Sequence, residues 1–173
     1  DYYTYILDFD ESGFSDYLIS FIDSSTNIDI LYASLDILLN LTHYQQEFTF
    51  LFSLVERGLY PRLNNLFQTP VNENVYRKSF ILLSNISLST KENRDELFSN
   101  IDLSFLVDSR YESLYSMNDA FHFFSKVIFF PSDRDMLANI FDLIFPYLYE
   151  RCKENDYFNY KLFVSFLYEA QNL

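Results

Sequence analysis

The stretch VERGLYPRLNNLFQTPVNENVYRKSFILLSNIS, residues 55–87, decides the fold. It holds one of only two glycines in the chain, Gly58, and an asparagine, Asn85, deep in an apolar run. Gly58 follows an apolar segment and precedes Leu-Tyr-Pro, so it marks a helix-to-helix turn in a left-handed backbone conformation. Pro61 then falls in the first turn of a new helix, where a missing N–H costs little. Residues 72–86 carry apolar side chains at i, i+3 and i+4 spacing, which predicts a third and longer helix.

Working outward, the same frame recurs. Gly13 lies 45 residues before Gly58, and Asn40 lies 45 before Asn85. ILYASLDILLNLT, residues 30–42, aligns with VYRKSFILLSNIS, residues 75–87, with apolar positions matching at most columns. Asn100 stands 42 residues after Gly58 and is the residue type next best suited to a left-handed turn, so it is expected to occupy the same column. Pro146, two repeats beyond Pro61, places Leu143 there in turn. The turn column thus reads Gly13, Gly58, Asn100, Leu143, and the asparagine column reads Asn40, Asn85, Lys126, Tyr168. Three helices are expected per unit of about 42 residues, with Thr90 and Ser132 as N-caps of the first helices. Repeat ends fall near 42, 87, 130 and 170 within a single domain spanning 1–173. The pattern runs into both ends of the chain, so a longer array is expected.

Composition agrees. Hydrophobic residues make up 49% and Phe plus Tyr another view of the same bias at 20%, so the chain can bury a core and is not disordered. Two glycines and four prolines are too few turns for a sandwich, barrel or nucleotide-binding fold. The expected class is all-α.

Three helices per repeat resemble the armadillo family. ENRDELFSNIDLSFLVDS (93–109 with the preceding Glu92) resembles its charged first helix, turn and apolar second helix, and residues 55–87 resemble the rest of a unit, including the Leu-Ser-Asn-Ile ending. The resemblance implies a right-handed α-solenoid of about three to four three-helix repeats. A HEAT-like array of helical hairpins is the rival architecture. The resemblance also implies that stacked third helices line a concave groove suited to an extended peptide. Leu82, Leu83, Ile86, Phe123, Val127, Phe163 and Leu167 would form the core between repeats.

In armadillo proteins that grip extended peptides, an asparagine near the end of the third helix holds the peptide backbone. Asn40 and Asn85 match that position; each amide either faces the groove or bridges neighbouring helices. The importin-α branch adds a tryptophan one turn earlier, where this chain has Asp36, Ile81, His122 and Val164. Asp29, Asp36 and Asn40 share one helical face that suits Lys or Arg by charge, while Lys78, Lys126 and Lys161 lie on corresponding faces further on. The expected groove is therefore Asp29, Asp36, Asn40, Lys78, Ile81, Asn85, His122 and Lys126, acidic at first and partly basic later.

Charge gives the partner class. The formal net charge is −13, and the first 56 residues hold ten acids and no Lys or Arg. Such a field repels nucleic acid and anionic membrane and attracts basic protein segments. No uncharged run approaches membrane-spanning length, and the N-terminus lacks a basic signal-peptide start, so a cytoplasmic or nuclear protein is expected. His43, His122 and Cys152 have no triad or metal spacing, and no glycine-rich phosphate loop occurs. No enzyme activity, metal or cofactor is expected. The function read from these features is a protein-binding adaptor for an extended basic segment, such as a nuclear-import adaptor. An armadillo-type nucleotide-exchange cofactor of Hsp70 and a scaffold subunit of a larger complex are the alternatives. Asn40-Leu41-Thr42 and Asn85-Ile86-Ser87 also read as glycosylation acceptors, taken as incidental.

Overall fold

The computed structural model describes residues 8–43, 48–69, 72–87 and 90–102, with residues 138, 142, 145, 146, 149, 164 and 168 singly. The protein is all-helical, with no strand among these residues. The chain divides into two compact units, residues 1–102 and 103–173.

In the first unit, residues 8–11 are helical, and six helices follow: α1 (Phe14–Ser20), α2 (Ile28–Thr42), α3 (Phe48–Glu56), α4 (Leu59–Gln68), α5 (Glu73–Ser87) and α6 (Lys91–Asn100). Gly13 and Gly58 are the N-caps of α1 and α4 and have φ of 76° and 86°. The left-handed backbone turns the chain directly from one helix into the next, which a Cβ would oppose. Pro61 is the third residue of α4, as expected. Thr90 caps α6 by accepting from the Asn93 N–H at 3.1 Å. Asn27 caps α2 and Asn72 caps α5: their side chains accept from Asp29 N–H at 2.9 Å and Val75 N–H at 3.0 Å.

Asn100 departs from expectation. It is the last residue of α6, not a left-handed turn, and the helix ends at an extended Ile101 with φ −107°. Its amide nitrogen donates back to the Glu96 carbonyl at 2.8 Å and to the Glu96 carboxylate at 3.0 Å, so the side chain supports the helix it was expected to end. Ile101 and Asp102 are not helical, although a helix was expected to begin at 101. The Asp102 N–H instead donates to the Asn64 side chain at 3.0 Å.

The two long helices repeat each other. Both have 15 residues, and their starts, ends and Asn caps are each offset by 45. All five buried positions of α2, Leu31, Ser34, Leu35, Leu38 and Thr42, have buried counterparts in α5: Tyr76, Ser79, Phe80, Leu83 and Ser87. Ser34 and Ser79 keep the packed face narrow. The most extensive helix–helix contact in the unit is between α2 and α5. They run side by side and parallel: Tyr32, Asp36 and Thr42 of one meet Asn72, Lys78 and Asn85 in the same order.

Leu82, Leu83 and Ile86 are fully buried, as expected, with Leu31, Leu35 and Leu38. Each such side chain contributes about 1.5–3 kcal/mol. An aromatic cluster ties α4 to α5: Phe67 lies edge-on to Tyr76 at 5.3 Å and to Phe80 at 5.9 Å between centroids. Tyr60, fully buried, donates to the Asn93 carbonyl at 2.9 Å and so links α4 to α6.

In the second unit the described residues are all helical. Phe145 and Tyr149 stack with rings 11° apart. Leu143, Ser132, Phe123, Val127, Phe163 and Leu167 lie outside the described residues.

Candidate functional site

At 3.6 residues per turn, α2 has three usable sides. Leu31, Leu35 and Leu38 point into the core. Tyr32, Asp36 and Thr42 turn toward α5. Asp29, Ala33, Asp36 and Asn40 lie opposite the core and are all exposed. On α5 the matching ridge is Asn74, Lys78, Ile81 and Asn85, of which Asn74 and Ile81 are exposed and the other two half-buried. The two asparagines occupy the same place, third from the end of their helices. Two parallel helices therefore present one continuous exposed ridge pair, and it carries Asp29, Asp36, Asn40, Lys78, Ile81 and Asn85. His122 and Lys126 lie outside the described residues.

The polar groups on this surface are partly engaged already. Lys78 forms an ion pair with Asp36 and stands 5.9 Å from the centre of the Tyr32 ring. The Tyr32 hydroxyl donates to the Asn72 side chain at 2.8 Å. Asn85 donates to the Thr42 hydroxyl at 3.2 Å, and that hydroxyl donates to the Leu39 carbonyl at 3.3 Å. Asn85 thus bridges neighbouring helices. Asn40 is exposed, with no side-chain hydrogen bond to described residues. The two members of the column differ because Asn85 has a long helix beside it and Asn40, among the described residues, does not.

The same geometry disposes of the acceptor patterns: Thr42 and Ser87, the hydroxyls of both, are fully buried in helices. A glycosylating enzyme needs that tripeptide extended and open.

The acidic first third is partly neutralised by bases one repeat later. Arg57 contacts Asp16 at 2.5 Å and Asp10 at 3.4 Å, and Arg62 contacts Asp23 at 3.4 Å. With Asp36–Lys78, these four contacts all put the acid on the first repeat and the base on the second. The Asp16 hydrogen bond, ahead of the opposing effect of burial, raises the Arg57 pKa above its ordinary value. Asp23 is held below the usual carboxylate range, first by hydrogen bonds from the Ser25 hydroxyl and N–H and lastly by Arg62. Exposed pairs such as Asp36–Lys78 are worth at most about 1 kcal/mol. Burial of the leucines outweighs them, so the pairs set register more than stability.

In the second unit, Val164 and Tyr168 are helical, one turn apart, and both exposed. They are the expected partners of Asp36–Asn40 and Ile81–Asn85 in the two columns. All six described members of these columns are thus exposed or half-buried.

Sequence reading missed Tyr32, Thr42, Asn27 and Asn72. The signal was present: Asn27 and Asn72 lie 45 apart just ahead of the two long apolar runs. Among the described residues no group of His, Cys, Asp and Glu could hold a metal ion, and no helix is long and apolar enough to cross a membrane. Comparison of the chain with protein-family models and with curated proteins finds no match.

Proposed function

We propose that the protein is a non-enzymatic binding module of armadillo type, a right-handed α-solenoid that grips an extended basic segment of a partner protein along its third helices. The observation that carries this reading is the repeated pair of surface positions one turn apart, Asp36–Asn40, Ile81–Asn85 and Val164–Tyr168, of which Asn85 is half-buried and the others are exposed. The 45-residue correspondence of α1 and α2 with α4 and α5, both pairs beginning at a left-handed glycine N-cap, supports the solenoid.

Asn40 supplies a free amide that donates to and accepts from a peptide backbone, while Asp29 and Asp36 receive its Lys or Arg side chains. Ile81 offers apolar contact to their stems. Lys78 already sits on Asp36, so it acts as an internal competitor that an arriving base displaces. A lysine-rich nuclear-import signal is one ligand of this chemistry.

The test is fluorescence anisotropy with an extended Lys/Arg-rich peptide at low and high salt. Binding is expected to weaken as salt rises, to weaken about tenfold in Asp36→Lys, and to tighten in Lys78→Met, which frees Asp36 from its partner. Affinity independent of salt and of both substitutions would refute the reading.

A further inference from the structure

The C-terminal end of the α2–α5 seam fixes which way the Asn85 amide faces. Thr42 is fully buried, and its hydroxyl has a single proton to give. That proton goes to the Leu39 carbonyl one turn back, at 3.3 Å. The same bond recurs 45 residues later, where the fully buried Ser87 hydroxyl donates to the Ser84 carbonyl at 3.3 Å. What Thr42 Oγ1 has left is lone pairs, so toward Asn85 it accepts. The atom that meets it at 3.2 Å is therefore the amide nitrogen, Nδ2, an orientation that the hydrogen-bond network decides. The amide is planar, so the carbonyl oxygen Oδ1 lies on its other side, away from Thr42. Oδ1 has no hydrogen-bond partner among the described residues and is not closed off from solvent.

Asn40 is the contrast. It is exposed and has no hydrogen bond to described residues, so its amide can turn either end to a ligand. The two asparagines therefore share a register position and differ in what they offer. Resting on the groove reading above, we propose that Thr42 is a positioning residue: it holds Asn85 with the carbonyl oxygen toward the groove, so that this position accepts from a backbone N–H of the bound segment. The occupant is narrowed by that. The residue of the basic segment that passes Asn85 has to carry its N–H, which excludes proline and N-alkylated residues at that place. No such demand arises at Asn40, where the amide turns to suit a donor or an acceptor.

The experiment uses the whole chain and the Lys/Arg-rich peptide of the salt titration, made as a series in which one backbone N–H at a time is methylated. Anisotropy reads binding, and circular dichroism checks each variant. One position of the series is expected to weaken binding about tenfold, more than its neighbours do. Asn85→Ala should abolish that position-specific penalty. Thr42→Val keeps the shape and removes the hydroxyl, and should cut the penalty to about threefold or less, while Thr42→Ser should keep it in full. Should Thr42→Val lose helicity, Thr42→Ala takes its place. A second readout needs no ligand: by nitrogen-edited NMR, the Asn85 side-chain amide protons should exchange with water more slowly than those of Asn40, and Thr42→Val should remove the difference. If no peptide of the series binds, the groove reading falls and this inference falls with it. If peptides bind but no methylated position stands out, or its penalty survives Asn85→Ala or Thr42→Val, the groove reading stands and the inference is overturned. Equal amide exchange at Asn85 and Asn40 overturns it as well.

Discussion

Replacement of Gly58 by alanine tests the turn on which the repeat frame depends. With φ at 86°, Gly58 sits where an L-residue pays for its Cβ, and a Cβ built there meets no atom within 4 Å. Steric clash with neighbours is therefore excluded, and only backbone strain remains, about 1–2 kcal/mol. Alanine also stiffens the unfolded chain, which returns about 0.4–1 kcal/mol. The net expectation is destabilisation by about 0.5–1.5 kcal/mol. Gly58→Asn should cost less, because asparagine tolerates the left-handed region. Urea unfolding followed by circular dichroism at the helical minimum is the assay. With a slope of about 2 kcal/mol/M, a loss of 1 kcal/mol moves the midpoint down by about 0.5 M. The sign decides the matter. Were residue 58 inside a continuous helix, alanine would stabilise by about 1 kcal/mol through propensity. A rise in midpoint for Gly58→Ala would refute the turn and the frame built on it.

Leu82→Ala, at a fully buried position between α2 and α5, should cost about 2–5 kcal/mol, read by the same urea titration. Thr90→Ala removes the α6 cap and should cost about 1 kcal/mol. Tyr60 gives a pH dependence: burial first, and the Glu96 charge second, push its pKa up, so the folded protein keeps a proton that the unfolded chain loses near pH 10. That contribution is complete below about pH 10 and declines above it, by up to about 1.4 kcal/mol per pH unit. Tyr60→Phe should flatten the alkaline fall in stability, measured as urea midpoints between pH 9 and 11.5. Asp23 acts in the opposite direction. Its contribution is present above the ordinary carboxylate pKa and is lost as pH falls through its depressed value, so Asp23→Asn should reduce the acid sensitivity of the midpoint.

Much of the helical frame was legible because its causes are local. Gly13 and Gly58 announce their turns by what they lack, Thr90 caps its own helix three residues on, and leucine spacing marks the core sides of α2 and α5. Asn100 was misread because its column assignment came from spacing alone, while its amide had a nearer partner in Glu96, one turn back. Charge was misjudged for a different reason. The ten acids of the first 56 residues read as an unopposed field, yet four of them meet Arg57, Arg62 or Lys78 across 39 to 47 residues of chain, a distance no composition count sees. The expected positions Asp29, Asp36, Asn40, Lys78, Ile81 and Asn85 fall on one ridge pair, but the state of each amide depended on what stood beside it. Asn85 has Thr42 within reach, and Asn40 has no such neighbour among the described residues.

The one-way arrangement of the ion pairs has a consequence for how such a protein changes over evolutionary time. In the four contacts of Asp10, Asp16, Asp23 and Asp36, the carboxylates stand on the first repeat and the cations, Arg57, Arg62 and Lys78, on the second. Neither repeat carries both halves of the code: the first has no Lys or Arg, and the second has Val55, Pro61, Gln68 and Ile81 where the first has Asp10, Asp16, Asp23 and Asp36, so this joint belongs to one ordered pair of units. Two first repeats joined acid face to acid face would meet their own sign. The seam thus carries a polarity, like the sense of a screw thread, and that polarity fixes the order of the two units.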